Sequence, residues 1–180
     1  MNHLRGHLRS PELEGGRIAY PALVLLVSGG HTVLARMSGP GEVAPLGTTR
    51  DDSVGETFDK VARMLGLGMP GGPAVDRLAQ AGRPVFDLPR PMLREGFAFS
   101  FSGLKSAVAR LLETTPEAEP ADVAASFVAA CADVLAAKLR RGLRAAETAS
   151  VVIVGGVAAN SQLRARAAAL CAAEGVALTL

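Results

Sequence analysis

Ala22-Leu23-Val24-Leu25-Leu26-Val27, followed at once by Ser28-Gly29-Gly30-His31-Thr32, is the stretch on which the fold turns. A continuous apolar run too short for a helix reads as a strand buried on both faces, and the glycine pair behind it as a tight turn. Thr32 to Met37 alternates weakly, Gly39-Pro40-Gly41 marks another turn, and Val43 to Thr49 makes a third strand. An antiparallel meander with a glycine-rich first turn is expected.

From Asp52 the period changes. Val54, Phe58, Val61, Ala62 and Leu65 recur at intervals of three and four, with Ser53 placed to cap and Glu56 three residues on. This predicts an amphipathic helix ending before Gly66. Leu67 to Pro73 reads as a Gly/Pro loop, and Ala74 to Ala81 as a new helix. Residues 83–101 hold several prolines and phenylalanines without a sustained period, so an irregular, partly packed segment is expected. Ser102 to Glu113 and Ala121 to Ala149 read as helices, broken apart by Pro116 and Pro120. Ser150 to Val154 repeats the grammar of the opening strand and again runs into glycines, Gly155-Gly156-Val157-Ala158-Ala159-Asn160. A helix to about Ala173, a stop at Gly175 and a strand from Val176 follow. Three strands, helices, then strand, helix and strand is the order of a ribonuclease-H-like α/β domain. No internal repeat is present.

The chain has 180 residues, 49% of them hydrophobic, and a formal net charge of +2. It can bury a real core, and its composition permits a nucleic-acid partner without arguing for one. Cys131 and Cys171 have neither CxxC spacing nor a disulfide framework and read as buried thiols of a reducing compartment. No apolar run is expected to reach transmembrane length, and the first residues lack a signal-peptide core, so a cytoplasmic protein with no membrane partner is expected.

Two glycine turns that each leave a buried strand suggest a nucleotide cleft, because glycine lets a phosphate approach backbone N–H groups. Plain turn chemistry explains either one alone. His3 and His7 form H-x-x-x-H, which on a helix turns both imidazoles to one ion. By itself the spacing is a weak signal, because two histidines near a terminus are often solvated surface residues. Leu4 occupies the place where a zincin carries its glutamate, which removes the general base of a protease. The acidic candidates are Asp51, Asp52, Glu56, Asp59 and Asp76. Asp52 and Glu56 suit a helix start, while Asp59 and Asp76 could accept ribose hydroxyls or sit on a solvated helix face. His31 beside the first loop is either a general base or a loop anchor.

Six motifs in register resemble one family. They are Asn2-His3 with His7, Leu26 to Thr32, Asp52-x-x-x-Glu56-x-Phe58-Asp59-Lys60, Pro70-Gly71-Gly72-Pro73, Phe99 to Lys105, and Gly155 to Asn160. Together they resemble the TsaD family, whose archaeal and eukaryotic relatives are Kae-type subunits of the KEOPS complex. The resemblance implies an incomplete actin/Hsp70/sugar-kinase (ASKHA) superfold. It also implies transfer of threonylcarbamoyl from threonylcarbamoyl-AMP to N6 of the adenosine 3′ of the tRNA anticodon. Residues 1–20 would be an interdomain segment left from an N-terminal domain, and 21–180 a second ribonuclease-H-like nucleotide-binding domain cut short at its C-terminus.

By the same resemblance His3 and His7 would be ligands of one divalent metal, Fe(2+) or Zn(2+). Leu26, Val27, Ser28, Gly29 and Gly30 would meet the phosphate and acyl part of the ligand. Asp59, Gly72, Asp76 and Asn160 would meet the nucleotide, either an adenine nucleotide or threonylcarbamoyl-AMP. The partners implied are tRNA, a small TsaB-type paralogue and a TsaE-type ATPase. The family's first domain and the aspartate completing its metal site fall outside this chain, so weak nucleotide binding without transfer is expected of it alone. A non-catalytic scaffold paralogue and an ASKHA-type kinase are the alternative readings. The histidine pair counts against the first, and the lack of a sugar-binding motif against the second.

Overall fold

The computed structural model describes residues 18–180. His3, His7 and most of the expected interdomain segment therefore lie outside the described residues. Strands β1 (Ala22–Val27), β2 (Thr32–Gly39), β3 (Glu42–Thr48), β4 (Ser150–Val154) and β5 (Ala177–Thr179) form one sheet in the order β3-β2-β1-β4-β5. The first three pair antiparallel and β4 runs parallel to both β1 and β5. This is the ribonuclease-H-like order expected above.

Period-two alternation explains the apolar runs of β1 and β4. Leu23, Leu25, Val27, Val151 and Ile153 face the helices, while Ala22, Val24, Leu26, Val152 and Val154 are buried on the other face. The edge strand β3, with a largely exposed pattern, carries Pro45 and Gly47, residues that weaken further pairing.

Among the described residues five α-helices accompany the sheet: α1 (Val54–Met64), α2 (Gly71–Gln80), α3 (Ser102–Thr114), α4 (Pro120–Ala145) and α5 (Ser161–Glu174). Helix α4 is the spine of the helical layer, and α2 and α5 both pack on it. Gly142 lets it close on the sheet, since a Cβ there would stand 2.7 Å from Leu23 Cδ2. Phe58 of α1 meets Phe127 of α4 edge-on with centroids 4.9 Å apart, a geometry that adds about 1 kcal/mol to simple burial. Cys131 and Cys171 are free and buried, as expected, and burial pushes both thiols up.

Several expectations need correction. Helix α2 starts at Gly71, three residues before Ala74, because Asp59 Oδ1 accepts the Gly71 N–H at 3.0 Å and Pro73 is tolerated in a first turn. Helix α4 ends at Ala145 rather than Ala149, because the Ala149 N–H turns away to the Pro21 carbonyl at 2.8 Å. Helix α4 is also long and apolar enough by length and composition to cross a membrane, contrary to the expectation of no such run. In fact 72% of its apolar window is buried inside the fold, as in the core helix of a globular domain.

Residues 83–101 are irregular, as expected, and are anchored from α4. Fully buried Lys138 donates to the carbonyls of Met92 at 2.6 Å, Gly96 at 3.1 Å and Glu95, so each ammonium proton has an acceptor. Burial, reinforced by the neighbouring Arg141, pulls the Lys138 ammonium down to about 8.

Candidate functional site

Because β1 and β4 are parallel neighbours, their C-terminal ends open at the same edge of the sheet, and both glycine loops emerge there. The loops touch through Gly155. It has φ +100°, and a Cβ on it would stand 2.3 Å from the Val27 carbonyl oxygen. Gly55 in the first turn of α1 does the same beneath the other loop, where a Cβ would stand 2.5 Å from the Ser28 carbonyl oxygen. Glycine is needed at both positions because backbone packs directly on backbone.

Ser53 fastens this arrangement. Its hydroxyl donates to the Gly29 carbonyl at 2.6 Å and accepts the Glu56 N–H at 3.2 Å, while the Val54 N–H is held by Thr32 Oγ1 at 2.8 Å. The capping box expected from Ser53 and Glu56 is thus only half made, since the Glu56 carboxylate pairs with Lys60 at 2.8 Å. Gly29 and Gly30 remain exposed, with open space where side chains would be. Among the described residues their N–H groups make no hydrogen bond. The Leu26 and Val27 side chains, by contrast, are buried in the two cores, so these residues can meet a ligand only through backbone.

The second loop carries the other half. A 3₁₀ turn, Gly156–Ala159, leads into Asn160, whose Oδ1 caps α5 by accepting the Leu163 N–H at 2.9 Å. Asn160 Nδ2 donates to Asp76 Oδ1 at 2.8 Å. Asp76 also accepts Ser161 Oγ at 2.9 Å and the Ser161 N–H at 3.2 Å, so one carboxylate from α2 closes the start of α5. Neither Asp59 nor Asp76 lies on a merely solvated helix face. Each fastens the start of a helix, Asp59 that of α2 and Asp76 that of α5.

Between α2 and the 3₁₀ turn lies a cleft of about 240 Å³ with Phe58, Gly72, Asp76, Arg77, Gly156 and Asn160 among its walls. Gly72, Asp76 and Asn160, distant in sequence, are brought together there. Asp59 sits one residue behind the wall, and Leu26 to Gly30 line the neighbouring loop. Gly72 and Pro73 of the first turn of α2 and Gly156 and Val157 of the 3₁₀ segment line the cleft, which brings helix-start backbone beside the Asp76 carboxylate, an arrangement suited to a hydrogen-bonding ligand. Arg77, which the sequence reading passed over, adds an exposed guanidinium free of partners among the described residues. Its position next to Asp76 was the available signal.

The remaining motif residues brace the β3–α1 loop. Asp51 accepts Ser100 Oγ at 2.6 Å, the Phe101 N–H at 2.8 Å and Ser102 Oγ at 2.8 Å, which fixes the start of α3. Burial pushes its carboxyl up, but these hydrogen bonds outweigh that and hold it below the ordinary carboxylate value. Asp52 pairs with Lys105 at 2.9 Å and Lys60 at 3.0 Å, and the Lys105 bond leads in holding its carboxyl low. His31 donates its backbone N–H to Ser28 Oγ at 3.1 Å, and its imidazole has no hydrogen bond among the described residues. No group of three or more His, Cys, Asp or Glu is placed to hold a metal among the described residues.

A family model described as "TsaD: tRNA N6-adenosine threonylcarbamoyltransferase" matches residues 1–180. The chain is similar to the tRNA N6-adenosine threonylcarbamoyltransferase of Ralstonia pickettii, at 53% identity over 173 residues covering 91% of this chain and 50% of that one. Against the protein of that name from Thermodesulfovibrio yellowstonii, identity is 48% over 175 residues, covering 93% and 53%. The chain thus spans about half the length of the curated relatives it matches.

Among solved structures, the activator of the 2-hydroxyisocaproyl-CoA dehydratase from Clostridium difficile, with bound ADPNP, superposes with a TM-score of 0.59 at 14% identity, covering 99% of this chain and 59% of that one. Component A of the Acidaminococcus fermentans (R)-2-hydroxyglutaryl-CoA dehydratase gives 0.56 at 16%, covering 87% and 54%. At such identities the likeness carries the fold alone, an incomplete ASKHA-type domain.

Proposed function

The chain belongs to the TsaD family of tRNA N6-adenosine threonylcarbamoyltransferases, and we propose that its cleft holds the adenylate part of threonylcarbamoyl-AMP while the Gly29-Gly30 loop faces the phosphate and acyl group. The observation that carries this reading is the meeting of Gly72, Asp76 and Asn160 in one cleft, beside a loop whose two glycine N–H groups are unspent. Asp76 keeps acceptor capacity beyond its three donors, and Asn160 keeps a second amide N–H, so ribose and base edges both find partners.

The transfer belongs to the longer protein of which the relatives are examples. In it the exocyclic amine of the tRNA adenosine attacks the carbamoyl carbon. The bond from that carbon to the phosphate oxygen breaks, AMP leaves with the electron pair, and the amine gives up a proton. Backbone donors at Gly29 and Gly30 would hold the charge that gathers on the departing phosphate, without needing to reorganise at that moment. We further propose His3 and His7 as two ligands of an iron(II) or zinc ion, which when bound would polarise the acyl oxygen as a Lewis acid. Interaction with a TsaB-type paralogue and a TsaE-type ATPase, and a cytoplasmic location, belong to the same proposal.

Gly72 offers a clean test. A Cβ there meets nothing within 4 Å, so Gly72→Val projects into the cleft, at some cost to the first turn of α2 because a β-branched residue before Pro73 is disfavoured in helical backbone. Calorimetric titration with AMP and with a stable threonylcarbamoyl-adenylate analogue, carried out well below the Tm of both proteins, should show binding to the parent chain and at least about tenfold weaker binding to the variant. Equal affinity for both proteins would remove the ligand from this cleft.

A further inference from the structure

A second depression lies between α4 and α5, away from the cleft. It has a volume of about 930 Å³ and, among the described residues, is lined by five arginines, Arg94, Arg140, Arg141, Arg144 and Arg166, and by two carboxylates, Asp133 and Glu174. The excess of three positive charges is larger than the net +2 of the whole chain, so the rest of the molecule is slightly acidic. Basic charge is concentrated here.

Ordinary structural roles account for part of the set. Arg166 pairs with Asp133, which also takes Arg90 at 3.0 Å, and Arg141 donates to the Gly96 carbonyl at 2.5 Å. Arg144, in the last turn of α4, suits the helix dipole. The dipole does not explain Arg94, which comes from the irregular segment, nor its convergence with Arg140 and Arg144. These three are exposed, and among the described residues they make no hydrogen bond or ion pair. Alanines of both helices, among them Ala137 and Ala173, keep the floor low between the guanidinium groups, so a ridge-shaped polyanion can enter.

Orientation places this groove relative to the cleft. Helix α5 starts at the cleft and runs away from it, and α4 ends where β4 begins, so Arg140, Arg144 and Ala173 sit towards the far end of the sheet. At 1.5 Å per residue, Ala173 is roughly 18 Å from the cleft end of α5.

We infer that this groove is a docking surface for the phosphate backbone of the tRNA, contacting it away from the nucleotide being modified. The inference rests on the transferase reading above. Arginines along a groove neutralise phosphates without reading sequence, and they position a large substrate whose reacting base is held elsewhere.

The test measures binding of a fluorescent, unmodified tRNA transcript by anisotropy, between about 50 and 200 mM salt. It compares the parent chain, R140Q/R144Q, and the control R83Q/R110Q, which removes two exposed arginines outside the groove. Loss of the two groove charges should weaken binding at least about fivefold and lower the salt slope by about 2, with the control near parental. Equal weakening in both variants, or none in R140Q/R144Q, overturns the proposal, as does no tRNA binding by the parent chain. Displacement of tRNA by inorganic phosphate at matched ionic strength overturns it in favour of a single-anion site. Displacement by an acidic amphipathic peptide and not by unlabelled tRNA overturns it in favour of a protein partner. AMP binding followed in parallel reports on the cleft separately, so failure of the groove leaves the transferase reading standing or falling on its own measurement.

Discussion

Replacing Asp76 separates the two roles the site gives it. In Asp76→Ala, Asn160 Nδ2 loses its acceptor at 2.8 Å and the start of α5 loses the bonds to Ser161 Oγ and N–H at 2.9 and 3.2 Å. The bond to Asn160 is partly buried and charge-assisted, worth about 1.5 kcal/mol. The two bonds to Ser161 are exposed and together resemble a weak helix cap, about 0.5 kcal/mol. The sum, about 2 kcal/mol, lowers the Tm of a chain this size by about 4 to 8 °C. Asp76→Asn keeps an acceptor for Asn160 and forfeits the negative charge at the start of α5, so its loss should be about half as large. Thermal unfolding followed by circular dichroism gives both values, and calorimetry with AMP gives the ligand's share. If Asp76 also receives a ribose hydroxyl, AMP affinity falls about tenfold in the alanine variant, measured well below its Tm. An unchanged Tm would refute the structural reasoning. A lowered Tm with unchanged AMP affinity would refute the ligand role and leave Asp76 as a strut between two helices.

The two glycine loops should respond unequally to a single methyl group. Gly155→Ala forces a side chain to within 2.3 Å of the Val27 carbonyl oxygen at φ +100°, so urea denaturation should show a loss of about 3 kcal/mol, whereas Gly29→Ala, which meets nothing within 4 Å, should stay within about 0.5 kcal/mol. Acid should act through Asp51. Its carboxyl is held below the usual 3.8, so its stabilising contribution is present above that pH and is lost as pH falls through the lower folded value. Asp51→Asn should therefore be less stable at neutral pH and show a flatter loss of stability below about pH 4. Parallel pH profiles for the two proteins would count against the hydrogen bonds assigned to Asp51.

Sequence alone determined the elements whose cause is local. Six consecutive apolar residues running into Ser28-Gly29-Gly30 read as a strand covered on both faces, and the same pattern at Ser150–Val154 reads as another, while their parallel pairing came from the fold. Ser53 as a cap, the period from Val54 to Ala62 and the stop at Gly175, with φ +67°, were legible for the same reason, because each needs only neighbours in the chain. What the tertiary structure decided was every bond between distant segments. Asp59 starts α2 three residues early, the Pro21 carbonyl ends α4 early, and Asp76 joins Asn160 across 84 positions of sequence. Arg77 acquires its place in the cleft, and the arginines of two helices and a loop gather in one groove, only after α2 and α5 have packed on α4. Residue spacing encodes which face a side chain occupies on its own element. Which other element that face meets depends on packing, and no local pattern carries that information.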